Sequence, residues 1–226
     1  MSTTAPTSPA TPNAPSMDHP APHPPAAPHA PHYTANDDRA IAAAIAPPRT
    51  DLPCEAIGAR DPDWAADRLR YPARPFLREQ SAWALWVYRF GRRNDRRRPG
   101  LVRRVNGRLY WLLFRVTETL TGISIPKSVE IGPGLRIWHF GNIFVHKDVK
   151  IGARCSLRQG VTIGVRMDDG PVPVLGDDVN VGAYAQILGG IYIGNGAKIG
   201  AMSVVLSDVP AGATAVGVPA RVVEKP

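Results

Sequence analysis

Between Ile131 and Val209 an aliphatic residue returns at almost every sixth position. Ile131, Ile137 and Ile143 set the interval. After a slip of two residues it resumes at Val145, Ile151, Leu157 and Ile163, and after a longer gap at Leu175, Val181, Ile187, Ile193, Ile199 and Val205. A period of six belongs neither to an amphipathic helix nor to an alternating strand. It is the signature of a β-helix made of hexapeptide repeats. Seven hexads put glycine directly after the aliphatic residue: Gly132, Gly152, Gly164, Gly176, Gly182, Gly194 and Gly200. Glycine there suits a sharp corner, because it accepts backbone angles that other residues avoid. Four places after the aliphatic residue stand Val149, Cys155, Val161, Val179, Ala185, Ala197 and Ser203, sized for a narrow interior. The expected fold class is mainly β.

Upstream the period changes. Trp83, Trp86, Val87 and Phe90, then Val102, Val105, Leu109, Leu112, Leu113, Val116 and Leu120, recur at helical spacing. Gly91 and the Pro99-Gly100 pair read as punctuation of two helices. Trp83, Trp86, Tyr88, Tyr110 and Trp111 suit a helix–helix and helix–β-helix core, or stacking on a base or sugar. Residues 1–58 show no period, and 12 of the 24 prolines lie within the first 50 residues. Such a composition cannot bury enough apolar surface to offset its ordering entropy. Four of the six histidines lie there (His19, His23, His29 and His32), at irregular spacing broken by prolines, so no metal site is expected. The domains expected are a disordered tail over 1–58, an α-helical lead-in over 59–123 and a β-helix over 124–226.

The net charge of +8 is concentrated. Nine arginines and one acid, Asp95, lie between Arg89 and Arg108. Nucleic acid is the first partner such a run suggests, but no recognition motif accompanies it and a β-helix offers no element that reads a groove. A solvated junction or subunit contact is a second reading. Attraction to anionic lipid or to a diphosphate-linked substrate is a third. Cys54 and Cys155 give neither a disulfide framework nor a metal spacing. The apolar run Leu109–Phe114 is far short of the roughly 20 residues of a spanning helix, and no basic-then-apolar leader opens the chain, so a cytoplasmic protein is expected.

Candidate chemistry lies where the ladder breaks. Before the two-residue slip stands Ile137-Trp138-His139-Phe140-Gly141-Asn142. His139 takes an outward hexad position between two aromatic residues, and histidine is the usual general base near neutral pH. A structural, hydrogen-bonded histidine is the alternative. His146 holds a corner position, structural or helping to hold the site. The second break, Val165–Val174, reads as an extruded loop of the kind that walls a binding site. Asp168 and Asp169 would there bind substrate, orient a base or simply be solvated. Cys155 falls on an inward position.

The stretches IGPGLRIWHFGNIFVH, GVTIG, VGAYAQILGGIYIGNGAKIGAMSVVLSDVP and GVPARVV, in this order between about Ser124 and Val223, resemble the serine acetyltransferase branch of the hexapeptide-repeat acyltransferases. RLYWLLF before TGISIP is similar to that branch's helical lead-in, shortened. The resemblance implies a left-handed parallel β-helix, a homotrimer with its site between subunits, and acetyl-CoA as donor, with no metal. It implies that His139 deprotonates an acceptor hydroxyl for direct attack on the thioester, with backbone N–H groups as oxyanion donors. By position Gly182, Ala183, Ala185, Gly200 and Ala201 would line the CoA channel, and Lys198 would meet a phosphate or remain solvated. Gln159 and Thr162 would face the acceptor.

Two departures stand out. An aspartate that orients the base in the serine enzymes is replaced by Ser124. The Arg-His-Pro that holds the amino acid's carboxylate is replaced by Pro171, Val172 and Pro173, with Arg166 as a potential substitute. An imidazole flanked by Trp138 and Phe140 suits a sugar face. The expected activity is an O-acetyltransferase acting on a sugar hydroxyl in exopolysaccharide synthesis. Serine O-acetylation in cysteine synthesis, or an inactive trimeric scaffold, are the alternatives.

Overall fold

The six-residue period folds into a three-faced prism that begins at Ile123. A computed structural model describes residues 61–223; the tail expected over 1–58 lies outside the described residues. Sheet A stacks β1 (Ile123–Ser124), β4 (Ile143–Val145), β7 (Thr162–Gly164), β10 (Gln186–Leu188) and β13 (Val204–Val205). Sheet B stacks β2 (Glu130–Ile131), β5 (Lys150–Ile151), β8 (Val174–Leu175) and β11 (Tyr192–Ile193). Sheet C stacks β3 (Arg136–Ile137), β6 (Ser156–Leu157), β9 (Asn180–Val181) and β12 (Lys198–Ile199), and ends in β14 (Thr214–Gly217) and β15 (Ala220–Val223), which pair antiparallel. The chain visits A, B and C in that order for about five parallel turns.

One regular turn is three hexads, so Asn180 pairs with Lys198 and Gln186 with Val204. Two turns are longer. Glu130 pairs with Lys150, two residues beyond three hexads, and Lys150 pairs with Val174, one hexad beyond. Both insertions leave the strands in register, because each is extruded at a corner. The small residues of the fifth hexad position fill the interior: Val149, Cys155, Val161, Val179, Ala185, Ala197 and Ser203 are all 0% exposed.

The corner glycines have a different cause from the one expected. None of the seven lies in the left-handed region. That conformation falls later in each corner, on Arg154, Asp178, Tyr184 and Met202 among others. Six of the seven are required by the close stacking of turns; at Gly164 a Cβ would meet only His146 Cβ, at 3.5 Å. A Cβ on Gly152 would stand 2.5 Å from the Gly176 backbone, and one on Gly182 would stand 2.5 Å from Ala201 N.

Among the described residues four helices precede the prism rather than two: α1 (Pro62–Leu69), α2 (Pro75–Arg78), α3 (Ser81–Asp95) and α4 (Leu101–Thr121). Asp61 caps α1 by accepting from Trp64 N at 3.3 Å. Gly91 does not punctuate a helix but lies inside α3. A Cβ there would be 2.6 Å from the Tyr110 ring, so the glycine lets α4 approach α3. The apolar series of α4 also differs from expectation. Val102, Val105, Leu109, Leu112, Val116 and Leu120 are exposed, as is Trp111, and the helix packs through Tyr110, Phe114, Thr117 and Thr121. The two threonines can be buried because their hydroxyls donate to the carbonyls of Leu113 and Thr117, each at 2.7 Å.

A buried ion pair fastens the helices to the first turn. Asp67 accepts from Arg89 Nε at 2.7 Å and Nη2 at 3.0 Å, and from the N–H groups of Gly134 and Leu135, both at 2.8 Å. Burial pushes the Asp67 carboxyl up, and the Arg89 guanidinium and these N–H groups pull against it. Arg89 also donates to Ile131 O at 2.8 Å and Gly132 O at 2.6 Å. Tyr88 OH donates to Val129 O at 2.8 Å and accepts from Ile131 N at 3.2 Å. The open end of the prism is thus covered.

Candidate active site

The shorter insertion lies on the edge where sheet C turns into sheet A. Trp138 N still donates to Leu157 O at 3.0 Å, and Ile143 N to Gly122 O at 2.9 Å. Between them His139–Asn142 leave the ladder and turn back through Gly141 (φ 106°) and Asn142 (φ 54°). Gly122, the left-handed C-cap of α4, supports this turn from below. A Cβ on Gly122 would stand 2.9 Å from Asn142 N, so a side chain there would lift the turn. His139 is exposed, with Trp138 and Phe140 exposed on either side.

Trp138 rests on a buried cation. The Arg136 guanidinium lies 4.6 Å from the Trp138 ring centroid and 4.0 Å from that of Tyr71. It pairs with both Glu79 oxygens, the Nη2–Oε1 distance being 2.8 Å, and donates to Ile137 O at 2.9 Å. Neither Arg136 nor Glu79 was evident from spacing, since the two are far apart in the chain.

The same edge continues upward through the corners of later turns. Gly160 N donates to Gly141 O at 3.0 Å, Tyr184 N to Gln159 O at 2.8 Å, and Met202 N to Ala183 O at 2.8 Å. One edge therefore gathers His139, Gln159, Gly182, Ala183, Gly200 and Ala201. Thr162 stands on the adjoining strand β7, half-exposed. Gln159 Oε1 is shielded from solvent and accepts no hydrogen bond among the described residues. Tyr184, within the segment between Ala183 and Ala185, lies over Gly160 so closely that a Cβ there would be 2.2 Å from its ring. Lys198 is exposed on β12, beside this edge, and pairs with no carboxylate among the described residues. Ala185 differs from its neighbours: it is fully buried, its N donates to Gly182 O at 3.3 Å, and its O accepts from Thr162 N at 3.0 Å. It shapes the corner and offers no surface.

The longer insertion, residues 165–173, leaves from another edge, where sheet A turns into sheet B. Arg166 and Asp168 are exposed on it, and Asp169 is left-handed at φ 56°. Within one chain the structure does not bring this loop to His139. His146 occupies the same A–B edge one turn below, beside Gly164, and its Nδ1 is 3.4 Å from Asp148 N. Cys155 is buried in the interior, and burial pushes its thiol up to about 12, which leaves it protonated and unreactive near neutral pH.

Ser124 has an acidic partner that no hexad pattern reveals. Its Oγ donates to Glu118 Oε1 at 2.5 Å. Glu118 stands one turn before the end of α4 and is also held by Arg115 at 3.0 Å. The one signal available was a carboxylate a turn before the helix-ending Gly122.

A cavity of about 250 Å³ lies away from this edge, lined by Ala66, Leu69, Arg70, Pro133, Gly134, Arg154 and Asp178. Its cations are occupied: Arg70 donates to three carbonyls and to Ser156, and Arg154 is bidentate with Asp178. Among the described residues no group of three or more His, Cys, Asp or Glu is placed to hold a metal ion.

Residues 173–207 match the family model of the bacterial transferase hexapeptide (six repeats). The soybean serine acetyltransferase apoenzyme matches with a TM-score of 0.61 at 32% identity, over 71% of this chain and 67% of that one. The Neisseria gonorrhoeae serine acetyltransferase in complex with serine matches with a TM-score of 0.58 at 34% identity, over 70% and 65%. A serine acetyltransferase in complex with CoA matches with a TM-score of 0.58 at 36% identity, over 71% and 66%. The chain spans about two thirds of the length of these solved relatives. Comparison with the curated proteins gives no match.

Proposed function

The chain belongs to the serine acetyltransferase branch of the hexapeptide-repeat, left-handed β-helix acyltransferases, and we propose that it is an acetyl-CoA-dependent O-acetyltransferase acting on a sugar hydroxyl. The observation that carries the reading is the alignment of an exposed His139 with Gln159, Gly182–Ala183 and Gly200–Ala201 along one edge. Solved relatives hold CoA or serine.

His139 removes the proton from the acceptor hydroxyl as its oxygen attacks the thioester carbonyl, and returns that proton to the departing CoA sulfur. Backbone N–H groups of the edge stabilise the charge developing on the carbonyl oxygen. Ser124 carries the Glu118 carboxylate to the strand below the His139 turn, and this pair positions the base. Gln159 Oε1, with no partner among the described residues, accepts from the acceptor. Lys198 meets a CoA phosphate.

The acceptor reading rests on the loop and the aromatic pair. Residues 171–173 supply no cation for a free carboxylate, whereas Trp138 and Phe140 offer two ring faces. Serine is the second reading: Arg166, on the loop that substitutes for the clamp, is the observation in its favour. Because the loop and His139 stand on different edges, a homotrimer completes the site, with Arg166 and Asp168 of one copy approaching His139 of the next. The compartment proposed is the cytoplasm.

Acetyl-CoA consumption measured in parallel with L-serine and a panel of nucleotide- and lipid-linked sugars tests this. Faster turnover of a sugar supports the reading, and faster turnover of serine overturns the acceptor. Absence of acetyl-CoA binding by calorimetry would make the protein a scaffold.

A further inference from the structure

We propose that α4 seats this protein on an anionic lipid bilayer. Leu101, Val102, Val105, Leu109, Leu112, Val116 and Leu120 follow one another at steps of one, three or four residues and form a single stripe along the helix. They are exposed, Leu101 by 77%, Leu112 by 62% and Leu120 by 64%. The stripe is not the packing face, which is the Tyr110, Phe114, Thr117 and Thr121 side. Arg104, Arg108 and Arg115 recur four and seven residues apart along one flank of the stripe, all exposed. Arg97 and Arg98 lie exposed in the connector at its N-terminal end. An apolar stripe with a cationic margin is the pattern of a helix lying in a membrane interface, where the apolar side chains enter the acyl boundary and the arginines meet the headgroups.

Charge selects the occupant. The only carboxylate of α4 is Glu118, which is held by Arg115 and Ser124. Among the described residues no carboxylate pairs with Arg97, Arg98, Arg104 or Arg108. A second copy docked antiparallel would set two arginine rows side by side, and a parallel copy would give them no acid to meet. An anionic bilayer satisfies the stripe and the arginines together. No helix among the described residues is long and apolar enough to cross a membrane, so α4 lies on it. The same helix ends in Gly122 beneath the His139 turn, which ties the seat directly to the active edge. The inference stands apart from the choice of acceptor.

Sedimentation of the full chain with phosphatidylglycerol-containing vesicles, and with pure phosphatidylcholine vesicles, tests it. The chain is expected to pellet with the anionic vesicles at low salt, and to be released by high salt or by the neutral lipid. The L112E/V116E variant, and separately R104Q/R108Q at exposed positions, are each expected to weaken binding by about tenfold or more while acetyl transfer in solution persists. No pelleting with anionic vesicles, or pelleting that both variants leave unchanged, overturns the proposal. A smaller assembly of L112E/V116E by light scattering also overturns it, by assigning the stripe to a second copy.

Discussion

Ser124 Oγ donates to Glu118 Oε1 at 2.5 Å across the left-handed cap that ends α4. A helix thereby supplies a carboxylate to β1, in the strand next to Phe144 and beneath the turn of His139. Substitution of Glu118 by Gln, or of Ser124 by Ala, is expected to lower kcat by about tenfold or more, as loss of a group that positions a catalytic histidine does. KM for acetyl-CoA should stay within about twofold. Steady-state kinetics decide it: unchanged kcat in both variants removes the pair from the mechanism.

His139→Ala is expected to reduce acetyl transfer by at least about a hundredfold, the loss typical of a general base. The exposed turn makes no contribution to the interior, so the mass in solution should not change. Near-full activity with an intact assembly would exclude His139 as the base.

Asp67→Asn removes the bidentate counter-charge of the buried Arg89 guanidinium and leaves it only Asp63, at 3.9 Å, and its bonds to Ile131 O and Gly132 O. A loss of about 3–5 kcal/mol is expected from breaking such a pair. Urea unfolding reads it directly, and a cost below about 1 kcal/mol would mean that the pair is not what fastens the helices to the prism.

The period of six was enough to place every face of the prism, because each aliphatic position is read by one interior. It was not enough to explain Gly152 or Gly182, whose missing Cβ atoms answer to the turn above. The stripe on α4 shows a related limit. Periodicity reports that Val105, Leu109 and Leu112 share a face but not which way it looks, and buried Thr117 and Thr121 do not look apolar in a sequence. His139 was legible because it interrupts the ladder. Glu118 and Arg136 were not, because their partners come from other elements of the fold.

Alkaline pH should weaken the fold. Burial pushes the Cys155 thiol up from an ordinary value of about 9 to about 12. Its contribution is therefore complete below about pH 9, where both states hold the proton, and declines above it as only the unfolded chain releases one. Stability should fall by about 1.4 kcal/mol per pH unit for this group between these values. Tyr71, Tyr88 and Tyr110 are also pushed up by burial, and add to the fall above pH 10. Urea midpoints from pH 8 to 11 measure the slope, and Cys155→Ala should make its first part shallower. An equal slope in that variant would show that the thiol does not contribute.

The two insertions stand on separate corners of a prism whose strands remain in register past both. Residues 165–173 can lengthen, shorten or exchange their side chains without moving His139, since nothing in the C–A corner depends on them within the chain. Recognition of the acceptor and supply of the base are thus independently mutable. A grafted loop becomes a practical means of redirecting this protein to a different hydroxyl.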